Sequence, residues 1–304
     1  TDISMVRDSS HLIKNFSMNL QYTPGNISID NLQGTMPGHR IKLKNSSMKG
    51  TFQGKISQPS EMTLFLDRFA LFSEHSSISG KLQVENLLHP MYEIHTQAKA
   101  YLPEWSHFLP DSLVSDLSGE VQFELKSGGQ FHLDSLNQQI MPVALNQSAY
   151  AVDLFNVSAV LPPFSDHRLS RLTGEFTMAN SSITANNISG KIDGIAFGID
   201  STLIKNAYTT LVKNQPGQLK VDTRVRLGSL SLKEIMAFIP ADTTDESPSE
   251  PLNYTMLLRG AAKMKRFTYD SVEFRNVSTL FNIQDSVYTV DQFKFDAFGG
   301  HLNS

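Results

Sequence analysis

Several stretches of this chain alternate apolar and polar residues with a period of two, and little else in the sequence is equipped to cover the apolar side. In Met48-Lys49-Gly50-Thr51-Phe52-Gln53-Gly54-Lys55-Ile56, the residues Met48, Phe52 and Ile56 fall on one side, while Lys49, Thr51, Gln53 and Lys55 fall on the other. The same period returns in Leu117–Leu125, Leu172–Met178 and Leu219–Leu227. Successive strand side chains project to opposite faces, so each segment has one greasy and one wet face. What hides the greasy faces decides what the chain can do.

Further strand candidates run over Leu12–Leu20, Ile27–Leu32, Ile41–Leu43, Met62–Leu66, Ile78–Val84, Leu252–Leu258, Val272–Ile283 and Val287–Phe298. The longest clean alternation sets Tyr92, Ile94, Thr96, Ala98, Ala100 and Leu102 against Glu93, His95, Gln97, Lys99 and Tyr101. Gly and Asn-Ser punctuation between the runs suits antiparallel meanders with short turns. A parallel α/β fold would need helices between strands, and few are legible. One helix is expected near 103–114, around Trp105, Phe108 and Pro110. A second is expected near 229–239, where Leu232, Ile235, Met236 and Ile239 make one apolar stripe. Both follow an alternating strand and contain Phe-aliphatic-Pro, which suggests a loose internal duplication. The acidic, Pro- and Ser-rich stretch 241–251 reads as a surface loop, as does the Gln- and Asn-rich 137–148. The expected organisation is a first β unit over 1–136, a second over 137–251, and the start of a third, truncated repeat over 252–304.

At 304 residues with only 18% charged side chains, the chain takes its polarity from Ser, Asn, Gln and Thr. A net charge of -4 argues against a nucleic-acid-binding protein. No run of about 18 apolar residues spans a membrane. The absence of a starting Met, and the stop at Gly299-Gly300-His301-Leu302-Asn303-Ser304, read as the excised soluble portion of a longer protein. There is no cysteine, so disulfides, thiolate nucleophiles and Cys-based metal sites are excluded. Sequons at Asn26, Asn45, Asn156, Asn187 and Asn276 are expected by chance in so Asn- and Ser-rich a chain.

Three features together carry a resemblance: the Leu-x-Gly punctuation, a strand running into a short helix and Pro, and the closing pattern. That last pattern is Asn276-Val277-Ser278-Thr279-Leu280-Phe281-Asn282-Ile283, followed by Tyr288–Phe298 and an aromatic-Gly-Gly turn at Phe298-Gly299-Gly300. The chain resembles the AsmA family of bacterial envelope proteins over most of its length. The resemblance implies a periplasmic protein anchored in the inner membrane by a segment absent from this chain. Its repeats would build a long, curved, mainly antiparallel sheet forming a U-shaped groove with two short helices. That groove would bind phospholipid acyl chains and support inter-membrane lipid transport and outer-membrane biogenesis, with the ends of the full-length protein meeting membranes.

On such a sheet the inner wall is expected to carry Phe52, Leu64, Leu82, Ile94, Val121, Phe123, Phe176, Val221 and Val225. Acyl chains would replace the missing second layer, each buried CH₂ contributing about 0.8 kcal/mol. A closed sandwich, in which two sheets cover each other, stays open as the alternative architecture. A non-catalytic scaffold that binds an envelope protein through a sheet edge stays open as the alternative function. A carbohydrate-binding sandwich is disfavoured, because Trp105 is the single Trp and a thin stacking platform. No catalytic, metal-ligating or cofactor pattern is present: the nine His are scattered, and Gly-x-Ser-x-Gly, phosphate-loop and calcium-loop spacings are missing. The expectation is a non-enzyme without cofactor. Trp105 is either a wedge at the groove mouth or part of a helix docked on the sheet edge.

Overall fold

The computed structural model describes residues 14–36, 41–55, 57–106, 112, 114–130, 147–162, 166–179, 181–238, 253–284 and 287–304. Period-two alternation becomes strand almost throughout. The first of two units comprises Thr1–Asp166 with Met178–Asn180. It holds β1 (Lys14–Thr23), β2 (Asn26–Met36), β3 (Ile41–Gln53), β4 (Thr63–Phe72), β5 (Ser77–Glu85), β6 (Met91–Tyr101), β7 (Ser115–Gln130) and β8 (Ser148–Leu161). The second unit comprises His167–Thr177 and Ser181–Ser304. It holds most of β9 (His167–Ala179), then β10 (Ser182–Ile192), β11 (Ile195–Lys205), β12 (Gln218–Ser231), β13 (Thr255–Tyr269), β14 (Val272–Gln284), β15 (Val287–Ala297) and β16 (Gly300–Asn303). In each unit the strands follow chain order in an unclosed, curved, mostly antiparallel sheet. The fold is therefore mainly β and groove-like, and the sandwich is not formed.

Sequence and structure part in several places. The two early candidates at Ile41–Leu43 and Met48–Ile56 are one strand, β3. Four strands, β8, β10, β11 and the short β16, fall where no alternation was read. One ladder is parallel: β12 and β13 run side by side from Gln218↔Thr255 to Ser231↔Thr268. The chain returns between them through a helix, α2 (Leu232–Phe238), which starts three residues later than the alternation suggests because Leu230 still pairs with Phe267 in β13. Ser231 and Glu234 fix that start reciprocally. Glu234 Oε2 accepts from the Ser231 N–H at 2.6 Å, and the Glu234 N–H donates to Ser231 Oγ at 3.2 Å. The first helix, α1, covers only Leu102–Trp105. It joins strands that pair antiparallel, so the shared strand-helix order does not reproduce one topology. A single π-type turn at Tyr208–Val212 was not anticipated. Most of 107–113 and all of 239–252 lie outside the described residues, including the acidic stretch.

The sequons have a backbone cause. Asn45, Asn156, Asn187 and Asn276 all have positive φ, between 47° and 52°, inside strands rather than in loops. Asn tolerates this left-handed conformation better than other non-glycine residues. Each such residue accompanies a shift or kink in the ladder, which bends the strand. The residue that follows is drawn inward: Ser46, Val157 and Ile188 are 0%, 8% and 2% exposed. The Leu-x-Gly motif is the other half of the device. A Cβ on Gly119 would sit 2.6 Å from Val157 Cα, and one on Gly174 would sit 2.7 Å from Ile188 Cα. Glycine is therefore required opposite each of those two bulges.

Beyond these bulges the core is thin. Among the described residues nine apolar side chains are buried, and four are alanines: Ala70, Ala159, Ala185 and Ala207. A second layer would bury the strand centres, and here they stay half-exposed.

Candidate functional site: an uncovered apolar face

Residues directly opposite in a ladder share a face, so the register sorts the side chains. In the first unit Phe52 pairs with Leu64, Leu64 with Val84, and Leu82 with both Leu66 and Ile94. Farther on, Ala98 pairs with Phe123 and Ala100 with Val121. All six residues anticipated in this unit therefore lie on one face. Val152 and Leu154 of β8 extend it beside Phe123 and Val121. Ring contacts tie its ends, with Tyr22 stacked 6.2 Å from Phe52 and Tyr150 stacked 6.0 Å from Phe123.

In the second unit Val221 pairs with Ile204 and Val225 with Ile199. The same row runs on to Leu258 and Ala262 of β13, then to Ile283 of β14. Phe176 joins it by elimination. A hydrogen bond between the Thr177 and Thr184 hydroxyls places those two on the polar side, which turns the neighbouring Phe176 to the apolar one.

All nine anticipated residues are half-buried, and none is fully buried. They touch lateral neighbours, and among the described residues of their own unit no second sheet lies over them. The face also holds hydroxyls, most of them satisfied by one another. Thr202 meets Thr223 at 2.6 Å, Tyr92 meets Ser127 at 2.9 Å, and Ser148 donates to Ser127 at 2.7 Å. Thr96 Oγ1 is buried without a partner. None of the paired positions named on this face carries an Asp, Glu, His, Lys or Arg side chain.

Sequence reasoning missed the contributions of β8 and β11, and a Phe cluster at the end of the second unit. There Phe274 lies 5.9 Å from Phe267 and 5.1 Å from Phe295, and Phe295 lies 5.5 Å from Phe293. The aromatic alternation of Phe293 and Phe295 was a readable signal for that cluster.

The opposite face is wet. Lys99 pairs with Glu120 at 2.9 Å, and Glu124 binds Lys126 at 2.8 Å and His95 at 2.9 Å. Hydrogen bonds from Lys126 and His95 hold the Glu124 carboxyl below its ordinary range. Open depressions of about 620, 590 and 320 Å³ are lined in part by polar-face residues such as Arg224, Lys126 and Asp67.

Trp105 belongs to a docked helix. Its indole N–H donates to Ser76 Oγ at 3.0 Å, and the same hydroxyl accepts the Tyr101 N–H at 2.9 Å and donates to Glu104 at 2.6 Å. Glu104 also accepts from Ser73 Oγ at 2.6 Å and the His75 N–H at 2.8 Å. Burial works to raise its pKa, but the hydrogen bonds from Ser73, Ser76 and His75 outweigh it and hold the carboxyl below its ordinary 4.5.

Among the described residues no group of three His, Asp or Glu could hold a metal ion, and no helix is long and apolar enough to cross a membrane. No protein-family model, curated protein or solved structure matches the chain.

Proposed function

We propose that this chain is the periplasmic portion of an AsmA-like envelope protein that holds phospholipid acyl chains against its apolar sheet face. On this reading it supports lipid movement between membranes and outer-membrane biogenesis, without catalysis, and an inner-membrane anchor lies outside the chain. One observation carries the reading: in each unit the residues chosen for their period share an apolar face, and among the described residues of that unit no second sheet covers it. Such a face needs a hydrocarbon guest. An acyl chain with about ten methylenes in contact would gain on the order of 8 kcal/mol before the cost of immobilising it.

Native mass spectrometry of protein purified without detergent, with solvent extraction of the same sample, tests this. Phospholipid should accompany the protein in near-stoichiometric amount. Protein that is monodisperse, folded and free of lipid would overturn the proposal.

A further inference from the structure

The polar face of the second unit is basic, although the chain as a whole is acidic. Lys220, Asp222, Arg224 and Arg226 alternate along β12, so all four point to the side opposite Val221 and Val225. Register adds Lys205 opposite Lys220, Arg259 opposite Asp222, and Lys263 opposite Arg226. Lys294 follows from Lys263 through Ser278. The seven cations named on this face of β11–β15 stand among carboxylates that include Asp200, Asp222, Asp291 and Asp296.

Two features make this more than a solvated surface. Like charges sit directly opposite each other at Lys205↔Lys220 and Arg226↔Lys263, an arrangement that weakens a ladder. Moreover, Arg226 has an ion-pair partner in Asp200, while Lys205, Lys220, Arg224, Arg259 and Lys263 have none among the described residues. On the corresponding face of the first unit, Lys99 and Lys126 are both tied to glutamates, and the like-charge pair Lys49↔Arg68 is confined to one ladder. Arg224 and Arg259 also line the 620 Å³ depression, together with Asp222 and Asn282 and with the apolar Leu203 and Leu280.

We infer that this face docks the protein on an anionic lipid bilayer surface. The cations spread over a patch of about 20 by 20 Å, taking 3.3 Å per residue along β12 and 4.8 Å per strand from β11 to β15. They do not form a single track, so the complement is a sheet of negative charge more than a thread. The paired positions of this face carry no aromatic side chain. That absence removes the stacking platforms used for single-stranded nucleic acid and the aromatic anchors common at protein interfaces. Headgroup phosphates need only charge, and an unpaired guanidinium or ammonium supplies it.

Co-sedimentation with vesicles of 30% phosphatidylglycerol in phosphatidylcholine tests this, with pure phosphatidylcholine as the comparison. Binding should appear only with the anionic vesicles and fall steeply between 50 and 300 mM salt. Lys220→Glu and Lys263→Glu should each weaken it about fivefold or more, with thermal stability unchanged or raised because a like-charge contact is removed. Lys81→Glu, on the polar face of the first unit, should leave it within twofold. Equal binding to neutral vesicles, indifference to both reversals, or tighter binding to duplex DNA or polyglutamate would overturn the inference. Acyl-chain loading in the same variants is read separately by extraction, so this docking face and the lipid-holding face can fail independently.

Discussion

At the scale of single residues, the chain spends left-handed backbone where its strands bend. Asn187 has φ of 52° inside β10, and the next residue, Ile188, is 2% exposed beneath Gly174. The bulge and the buried side chain are one device: without the left-handed residue, Ile188 would turn to the wrong face. Asn187→Val should therefore cost about 1–2 kcal/mol in urea denaturation, while Asn187→Gly should be nearly neutral. Equal losses for both would mean that the amide's contacts matter and the φ does not. Asparagine was visible in the sequence at every one of these sites, and its Asn-x-Ser context disguised it as a chance sequon. Torsional demand leaves no periodic mark, so it could be recognised only once the ladders were paired.

At the scale of elements, the two-residue period made most strands legible, because one half-buried face repeats on each. Among those that went unread, β8, β10 and β11 escaped for local reasons. Bulges at Asn156 and Asn187 break the alternation in two of them, and Gly198, Ser201 and Thr202 dilute it in β11. The parallel β12–β13 ladder was illegible, since direction is decided by the connection and not by the strand.

The described part of helix α1 is held by its docking to the β4–β5 turn. Glu104 accepts three hydrogen bonds from that turn, and its folded-state pKa lies below the ordinary 4.5. A depressed carboxyl pKa gives stability that is fully present above 4.5 and is lost as pH falls through the lower folded value. Docking should thus loosen in acid, and the single Trp reports it, because Trp105 shares Ser76 with Glu104. Fluorescence should change below pH 4.5 before the far-ultraviolet dichroism of the strands does, and Glu104→Ala should show the loosened spectrum already at pH 7. A Trp signal that tracks strand melting at every pH would dissolve the link.

At the scale of the molecule, each unit has two faces with opposite duties, and the period-two pattern alone chose the residues of the apolar one. What it could not give was whether a second layer covers them, because a sandwich interior and an open wall share one alternation. The answer lies in exposure: Phe123 and Ile94 remain half-buried with full lateral contacts.

If acyl chains complete this surface, their binding contributes stability by mass action. Removing lipid should lower the melting temperature and promote association, and returning phospholipid should restore it. Phe123→Asp places a carboxylate in the middle of the wall, where a hydrocarbon guest would strip its water at a cost of several kcal/mol. The half-open site lets that same carboxylate stay hydrated when no guest is present. The variant should therefore fold but lose both co-purifying lipid and the lipid-dependent rise in melting temperature. Gln122→Asp, one residue along on the exposed face, adds the same charge and should keep both. If the two variants carry equal lipid, the guest does not lie on the face that contains Phe123.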